Sequence, residues 1–310
     1  MARRATAVLL VCLLAAVPPI DHPAAAAAAS CERPAVPRLK AERPALARLK
    51  AERPPDVRAP HVREPDPRQV REVLAELGER LGDTKPPTSI TIPTWVHVLT
   101  DGRRRAPDEA VRSQIAALNS AYGGRFGGVD TGVRFRLDGI TLTRNTSWFG
   151  DPLGHEAAMK GHLRKGGVQT LNLYIGQLSE LVLGFSTYPF WYASGPRLDG
   201  VVVDWRSLPG GALRNFDLGF TGVHEIGHWL GLFHTFENGC EEPGDGVDDT
   251  PPEALPTEGC PGVKDTCPLG GADPIRNFMD YSYDRCMKEF TQGQAVRMHE
   301  MWAAYRGTET

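Results

Sequence analysis

Three histidines and a glutamate fall in the stretch "HEIGHWLGLFH" at 224–234, although the whole chain of 310 residues has only 9 His. Imidazoles beside a carboxylate are the side chains that hold a metal ion and move a proton. On an α-helix each residue advances by about 100°, so His224 and His228 would lie about 40° apart around the axis and about 6 Å along it. Both rings can then face one ion. Glu225, next to the first ring, is placed to hold a water beside that ion and take its proton. His234 does not fit a continuing helix, because it would stand about 15 Å from His224 along the axis. The chain must turn, and Gly231 is where it can, since glycine accepts the positive φ of a helix C-terminus. Three ring nitrogens with a fourth position left for water make the donor set of a catalytic zinc site. The competing reading, a core helix with three separately satisfied histidines, needs a partner for every ring and another for Glu225.

Several elements must position these groups. The length allows one large or two modest domains, and 41% hydrophobic residues suffice for a sizeable core. A net charge of −3 argues against nucleic acid or an acidic membrane surface as partner. The N-terminus, "MARRATAVLLVCLLAAVPPIDHPAAAAAAS", carries an arginine pair, an apolar run from about Ala5 to Ala16 and an alanine-rich zone. Residues 1–30 therefore read as a secretory signal peptide, too short for a membrane span. Export makes disulfides the default for Cys240, Cys260, Cys267 and Cys286, although the sequence leaves three connectivities open. Cys12 goes with the signal, and Cys31 is left over.

After Cys31 come "CERPAVPRLK", "AERPALARLK" and "AERPPDVRAP". Recurrent proline and a near absence of aromatics leave these basic units unable to fold alone. Val70, Val73, Leu74, Leu77 and Leu81 have helical spacing and predict a short helix near 68–81, the last element before the main domain. "KPPTS" then punctuates the chain, and the boundary is expected near 88. From "ITIPTWVHVLT" onward strands and helices alternate; "VRFRLDGITLT", "TLNLYIGQL" and "DGVVVDW" read as strands and "APDEAVRSQIAALNSAYGG" as a helix. His155 and His162 fall in a short helical stretch and read as a solvated face. Past residue 235 glycine, proline, aspartate and cysteine dominate until a final helix, "FTQGQAVRMHEMWAAYR". The expected order is a leader or prosegment over 31–88, then a catalytic domain over 89–310 with subdomains 89–234 and 235–310.

The stretch from Glu237 to Glu258 is rich in acids and has no lysine or arginine. Such a loop is either solvated and disordered or gathered by a cation. Clustered carboxylates among turn-forming glycines suit calcium, which takes six to eight oxygen ligands.

H-E-x-x-H-x-x-G-x-x-H, together with "NFMDYSYD" at 277–284, resembles the metzincin clan of zinc metallopeptidases. "GC", "GDGVDDTP", "GC", "TC", "NFMDYSYDRCM" and "FTQGQAVRM" narrow the resemblance to the pappalysin family and its bacterial ulilysin-like members. "LGFSTYPF" and "DGVVVDW" resemble that family's edge strand and the strand after it. The resemblance implies an α+β metzincin-type fold, a mixed twisted sheet with the active-site helix against it and an irregular disulfide-pinned C-terminal part ending in a helix. It implies zinc on His224, His228 and His234, Glu225 as general base and acid, Met279 as the floor of the site and Tyr281 as donor to the oxyanion. On their own Met279 and Tyr281 would read as a core methionine and a surface aromatic. It further implies structural calcium on Asp245, Asp249, Thr250 and the Val247 carbonyl, and disulfides Cys240–Cys267 and Cys260–Cys286.

Cys31 has three readings: a zinc ligand that keeps a precursor inactive, a spare thiol, or a lipid-bearing N-terminus in a weak lipobox. The expectation is a secreted, monomeric endopeptidase with one zinc, acting on protein or peptide substrates and made as a precursor. The alternative is a non-catalytic, calcium-stabilised extracellular binding module on the same fold. Thr235, Phe236 and the cysteine spacing speak against an astacin-like enzyme.

Overall fold

Apolar residues recur along 90–100 with the period of a strand, and β1 (Ile90–Thr100) forms there as an inner strand of the sheet. β2 (Val133–Arg144) runs parallel along one side of it, with a register shift between Thr94 and Trp95. On the other side β3 (Leu171–Gly176) pairs in parallel from Thr94 onward. Pro93 thus precedes that ladder and removes no hydrogen bond from it. β5 (Val201–Asp204) follows in parallel, and β4 (Gly184–Ser186) closes the edge antiparallel to β5, giving the order β2-β1-β3-β5-β4. This computed structural model describes residues 64–179 and 182–307; the signal segment, the proline-rich units and Cys31 lie outside the described residues.

Every residue of β3 and β5 is buried, as a sheet covered on both faces requires. Alternating side chains serve the two faces. Leu173, Ile175, Val201 and Val203 pack with α2 (Asp108–Tyr122) and α5 (Phe220–Trp229), whereas Tyr174 and Val202 pack with α3 (Thr146–Gly150) and α4 (Glu156–Leu163). His155 stands just before α4, and His162 on it is exposed. In α5 every residue except Thr221 is buried. A helix apolar all round belongs in the middle of a molecule, and this one carries "HEIGH".

Residues 235–291 form no helix; their only ladder contacts among the described residues are the single bridges Gly259–Ser282 and Asn277–Glu289. Two disulfides, Cys240–Cys267 and Cys260–Cys286, span this part. It ends in α6 (Gln292–Tyr305), whose start is a reciprocal capping box between Thr291 and Gln294. Beyond α6, Arg306 is fully buried, with Nη2 2.9 Å from Asp199 Oδ1 and its guanidinium 3.7 Å from the Trp229 ring. Trp229 in turn donates from Nε1 to Asp199 Oδ1 at 3.0 Å, so the end of α5 is tied to the end of α6.

The helix expected near 68–81 is α1 (Pro67–Leu81), capped by the Asp66 side chain. It is no free arm. Val70, Val73 and Leu77 share a core with Tyr188, Phe233 and Met301, and the Arg80 guanidinium lies 4.9 Å from the Tyr305 ring. The methyls of Leu74 occupy the space that a Cβ on Gly246 would take. No helix among the described residues is long and apolar enough to cross a membrane.

Candidate metal centre

The site is built on α5, and its N-terminus is held from a distance. Gly219 precedes the helix at φ 83° and offers no side-chain cap. Asp284 supplies the missing acceptor: its Oδ2 takes hydrogen bonds from Leu218 N–H at 2.8 Å and Phe220 N–H at 3.5 Å. Burial, helped by the charge of Asp217, pushes the Asp284 carboxyl up to about 7 despite those bonds.

His224 and His228 point the same way from α5. His224 Nδ1–H donates to the Phe278 carbonyl at 2.7 Å and His228 Nδ1–H to the Leu232 carbonyl at 2.8 Å, with the Tyr188 hydroxyl 2.9 Å from the same nitrogen. A carbonyl can only accept, so both rings carry their proton on Nδ1 and present a bare Nε2. The helix ends at Trp229, and Gly231 turns the chain at φ 96°. A side chain there would also strike Met301, since a Cβ would stand 2.4 Å from its Cγ. Leu232 N–H returns to the Gly227 carbonyl at 2.9 Å, and His234 swings back into the site. His228 Nε2 lies 3.1 Å from both His224 Nε2 and His234 Nε2.

Burial holds these imidazoles neutral: His224 is lowered to about 4, and His228 and His234, which also feel one another, lie well below their usual value. The bare Nε2 lone pairs of His224 and His228 therefore face each other 3.1 Å apart in a buried cage, with no hydrogen between those two. That arrangement repels itself unless a cation sits at its centre, and three imidazole nitrogens fit zinc.

Glu225 is buried beside the first histidine and has no hydrogen-bond partner among the described residues. Burial pushes its carboxyl up to about 8, and the negative charge of Glu64, just before α1, adds to that. Beneath the histidines Met279 packs its sulfur against Gly227. The turn carrying Met279 is held by Asn277, whose Oδ1 accepts Met279 N–H at 2.9 Å while its amide pairs with Gln294 of α6. Thr235 N–H donates to the Met279 carbonyl at 3.2 Å, which joins the segment of the third histidine to this turn. The Tyr281 hydroxyl reaches to 3.1 Å from His234 Nε2, with 43% of the residue exposed. Tyr188, Asp284, Asn277 and Gln294 carry no local signal that would have singled them out.

In the acidic loop Asp245, Val247 and Thr250 come together. The Thr250 hydroxyl lies 2.7 Å from Asp245 Oδ1, 2.8 Å from Oδ2 and 2.7 Å from the Val247 carbonyl. One hydroxyl proton cannot serve three acceptors, and burial pushes the Asp245 carboxyl up to about 7. Asp249 turns elsewhere: its oxygens accept from Thr291 Oγ1 at 2.7 Å and Gly293 N–H at 2.8 Å, at the start of α6. Cations from outside the loop approach it. Arg297 of α6 donates to the Gly246 carbonyl, and the Lys264 ammonium bonds Glu253 and lies 3.2 Å from Asp273. A cavity lined by Thr235, Glu241, Glu242, Asp245, Asp248 and Thr250 adjoins these groups.

The chain is similar to several known proteins. The profile of the M43 peptidases, described as pregnancy-associated plasma protein-A, matches residues 184–303. The chain is 44% identical over 224 residues to extracellular metalloprotease 1 of Coccidioides posadasii, covering 70% of this chain and 78% of that protein. It is 42% identical over 233 residues to an extracellular metalloprotease of Neurospora crassa, covering 70% and 76%. Among solved structures, mature Tannerella forsythia mirolysin with a cleaved peptide superposes with a TM-score of 0.61 at 27% identity, covering 71% of this chain and 97% of that one. A mutant of T. forsythia promirolysin gives 0.63 at 27% identity, covering 79% and 94%.

Proposed function

The chain belongs to the M43 peptidase family, and from that premise we propose that it is an exported zinc endopeptidase synthesised as a precursor. The observation that carries this is the convergence of three imidazole Nε2 atoms, those of His224 and His228 bare, beside the buried carboxyl of Glu225. Zinc, when held by His224, His228 and His234, supplies a Lewis acid that polarises a carbonyl and acidifies water. The residues do the rest. Glu225 accepts the proton of the attacking water and returns it to the departing amine nitrogen. The Tyr281 hydroxyl donates to the oxygen on which negative charge develops. β4 is paired on one side only, so an extended peptide can add along its free edge.

The precursor reading rests on residues 31–88 as prosegment, of which the described part includes α1 and Glu64. It is supported by the match to promirolysin, which covers more of this chain than the match to the mature enzyme, 79% against 71%. Structural calcium on Asp245, the Val247 carbonyl and Thr250 is supported by the crowding of acceptors around one hydroxyl; Asp249 would join them with lone pairs its bonds to α6 leave free. Cys31 as a latency ligand and its lipidation are alternatives that mass spectrometry of the exported N-terminus separates. Export is supported by the charged and apolar pattern of residues 1–30 and by relatives described as extracellular.

The decisive experiment compares zinc-loaded, leader-free protein with its Glu225→Ala variant on denatured protein and a peptide library. The parent should cleave, and the variant should keep its zinc and fold while losing hydrolysis. Retained hydrolysis in the variant overturns the mechanism, and an inactive parent with full zinc supports the non-catalytic binding module.

A further inference from the structure

The edge strand β4 approaches the active-site helix so closely that there is no room for a side chain at Gly184. A Cβ on Gly184 would stand 2.6 Å from Glu225 Cγ, 2.9 Å from its Oε1 and 3.0 Å from its Cδ. The backbone does not ask for glycine here. Gly184 is absent from the positive-φ glycines, and it pairs with Val203 in regular antiparallel register. Gly184 opens β4, and a paired strand position ordinarily disfavours glycine, which loses more entropy on ordering and packs nothing, unless another group approaches it closely. In this strand the approaching group is Glu225.

The contact matters because of what Glu225 lacks. Its carboxylate has no hydrogen-bond partner among the described residues, and the side chain turns about three bonds. Only the walls around it limit where its oxygens lie. The other glycines of the site answer other demands: Gly227 makes room for Met279, and Gly231 turns the chain.

We propose that Gly184 is a positioning residue for the general base: the bare backbone of β4 is the wall that sets the Glu225 carboxylate at its working place. Any side chain at 184 displaces that carboxylate or lifts β4 away from α5. The inference rests on Glu225 being the base.

The test uses zinc-loaded, leader-free enzyme. Gly184→Ala should lower kcat on the order of 100-fold, the loss expected when a reacting group is misplaced by about 1 Å. KM should change by less than about threefold, because the metal and the substrate edge remain, and zinc content and Tm should match the parent. Gly161→Ala in α4, where a Cβ meets nothing within 4 Å, serves as the control and should keep full activity. Glu225→Asp withdraws the carboxylate by one methylene, so its loss and that of Gly184→Ala should fail to multiply in the double variant. The proposal is overturned if Gly184→Ala keeps kcat within about threefold, if its loss tracks a fall in zinc or Tm, if KM alone rises, or if the two losses multiply fully. Hydrolysis by Glu225→Ala would overturn the base reading and this inference together, whatever Gly184→Ala does.

Discussion

The sulfur of Met279 rests on the bare backbone of Gly227, midway between Glu225 and the end of α5. A Cβ on Gly227 would stand 2.4 Å from Met279 Sδ and 3.2 Å from its Cε. Gly227→Ala should therefore wedge the methionine turn away from the helix that carries two metal ligands. Overpacking of this kind destabilises by about 1–3 kcal/mol. A Tm lower by several degrees and faster zinc loss to a weak chelator are expected, measured by thermal unfolding and metal analysis. Met279→Leu conserves volume and should stay below about 1.5 kcal/mol. An unchanged Tm in Gly227→Ala would mean that the turn does not bear on the helix.

Tyr281 lies at the mouth of the site with its hydroxyl 3.1 Å from His234 Nε2. If it donates to the oxyanion, Tyr281→Phe removes an interaction made only in the transition state. The expected loss is roughly 100-fold or more in kcat, with KM nearly unchanged and zinc retained. Steady-state kinetics separates this from a substrate-binding role, which would raise KM and spare kcat.

Asp284 gives the protein a pH signature. Its ordinary value is 3.8 and burial raises it to about 7 in the folded state. The folded state then holds a proton that the unfolded chain has released, so the stabilisation is fully present below about 3.8 and is lost as pH rises towards about 7. Asp284→Asn keeps an acceptor for Leu218 N–H and removes the titration. Urea unfolding across this window should show a parent whose stability falls with pH more steeply than that of the variant. Equal slopes would sink the assignment. Asp245, also raised to about 7, contributes its own slope to both proteins.

Calcium added to the zinc-loaded protein should raise Tm, and Asp245→Asn should abolish the response. At a hundred times its Kd, a ligand bound only by the folded state stabilises by about 2.7 kcal/mol. A Tm indifferent to calcium in the parent would refute the site and leave Arg297 and Lys264 as the cations of that loop.

The metal centre could be read from the sequence because its grammar is local: helix spacing sets His224 and His228, and Gly231 must turn the chain for His234 to return. The strands and helices were legible for the same reason, since β1 and β3 alternate apolar residues along the chain and β5 is a short β-branched run. What could not be read depends on pairing between distant segments. Tyr188 reaches His228 only once β4 and the turn after it are laid beside α5. Asp284 serves the start of α5 only because the cysteine-linked part folds back beneath it. Asp249 is a further case: in "GDGVDDTP" it reads as an oxygen ligand, and nothing local shows that its carboxylate also accepts from the Thr291 hydroxyl and Gly293 N–H at the start of α6. Likewise the acidic loop looked uncompensated because its nearest cations, Lys264 and Arg297, lie outside the window in sequence.

The seat of α1 has a kinetic consequence. Joined to β1 through the short connector 82–89, the helix faces its groove of Tyr188, Phe233 and Met301 as an intramolecular ligand, at an effective concentration in the millimolar range. A single cut in that connector makes it a separate peptide whose occupancy is set by mass action. At micromolar protein the helix then stays only if its Kd is lower still, so unmasking of this face becomes a matter of dilution, with an off-rate of its own, and not of the cut alone.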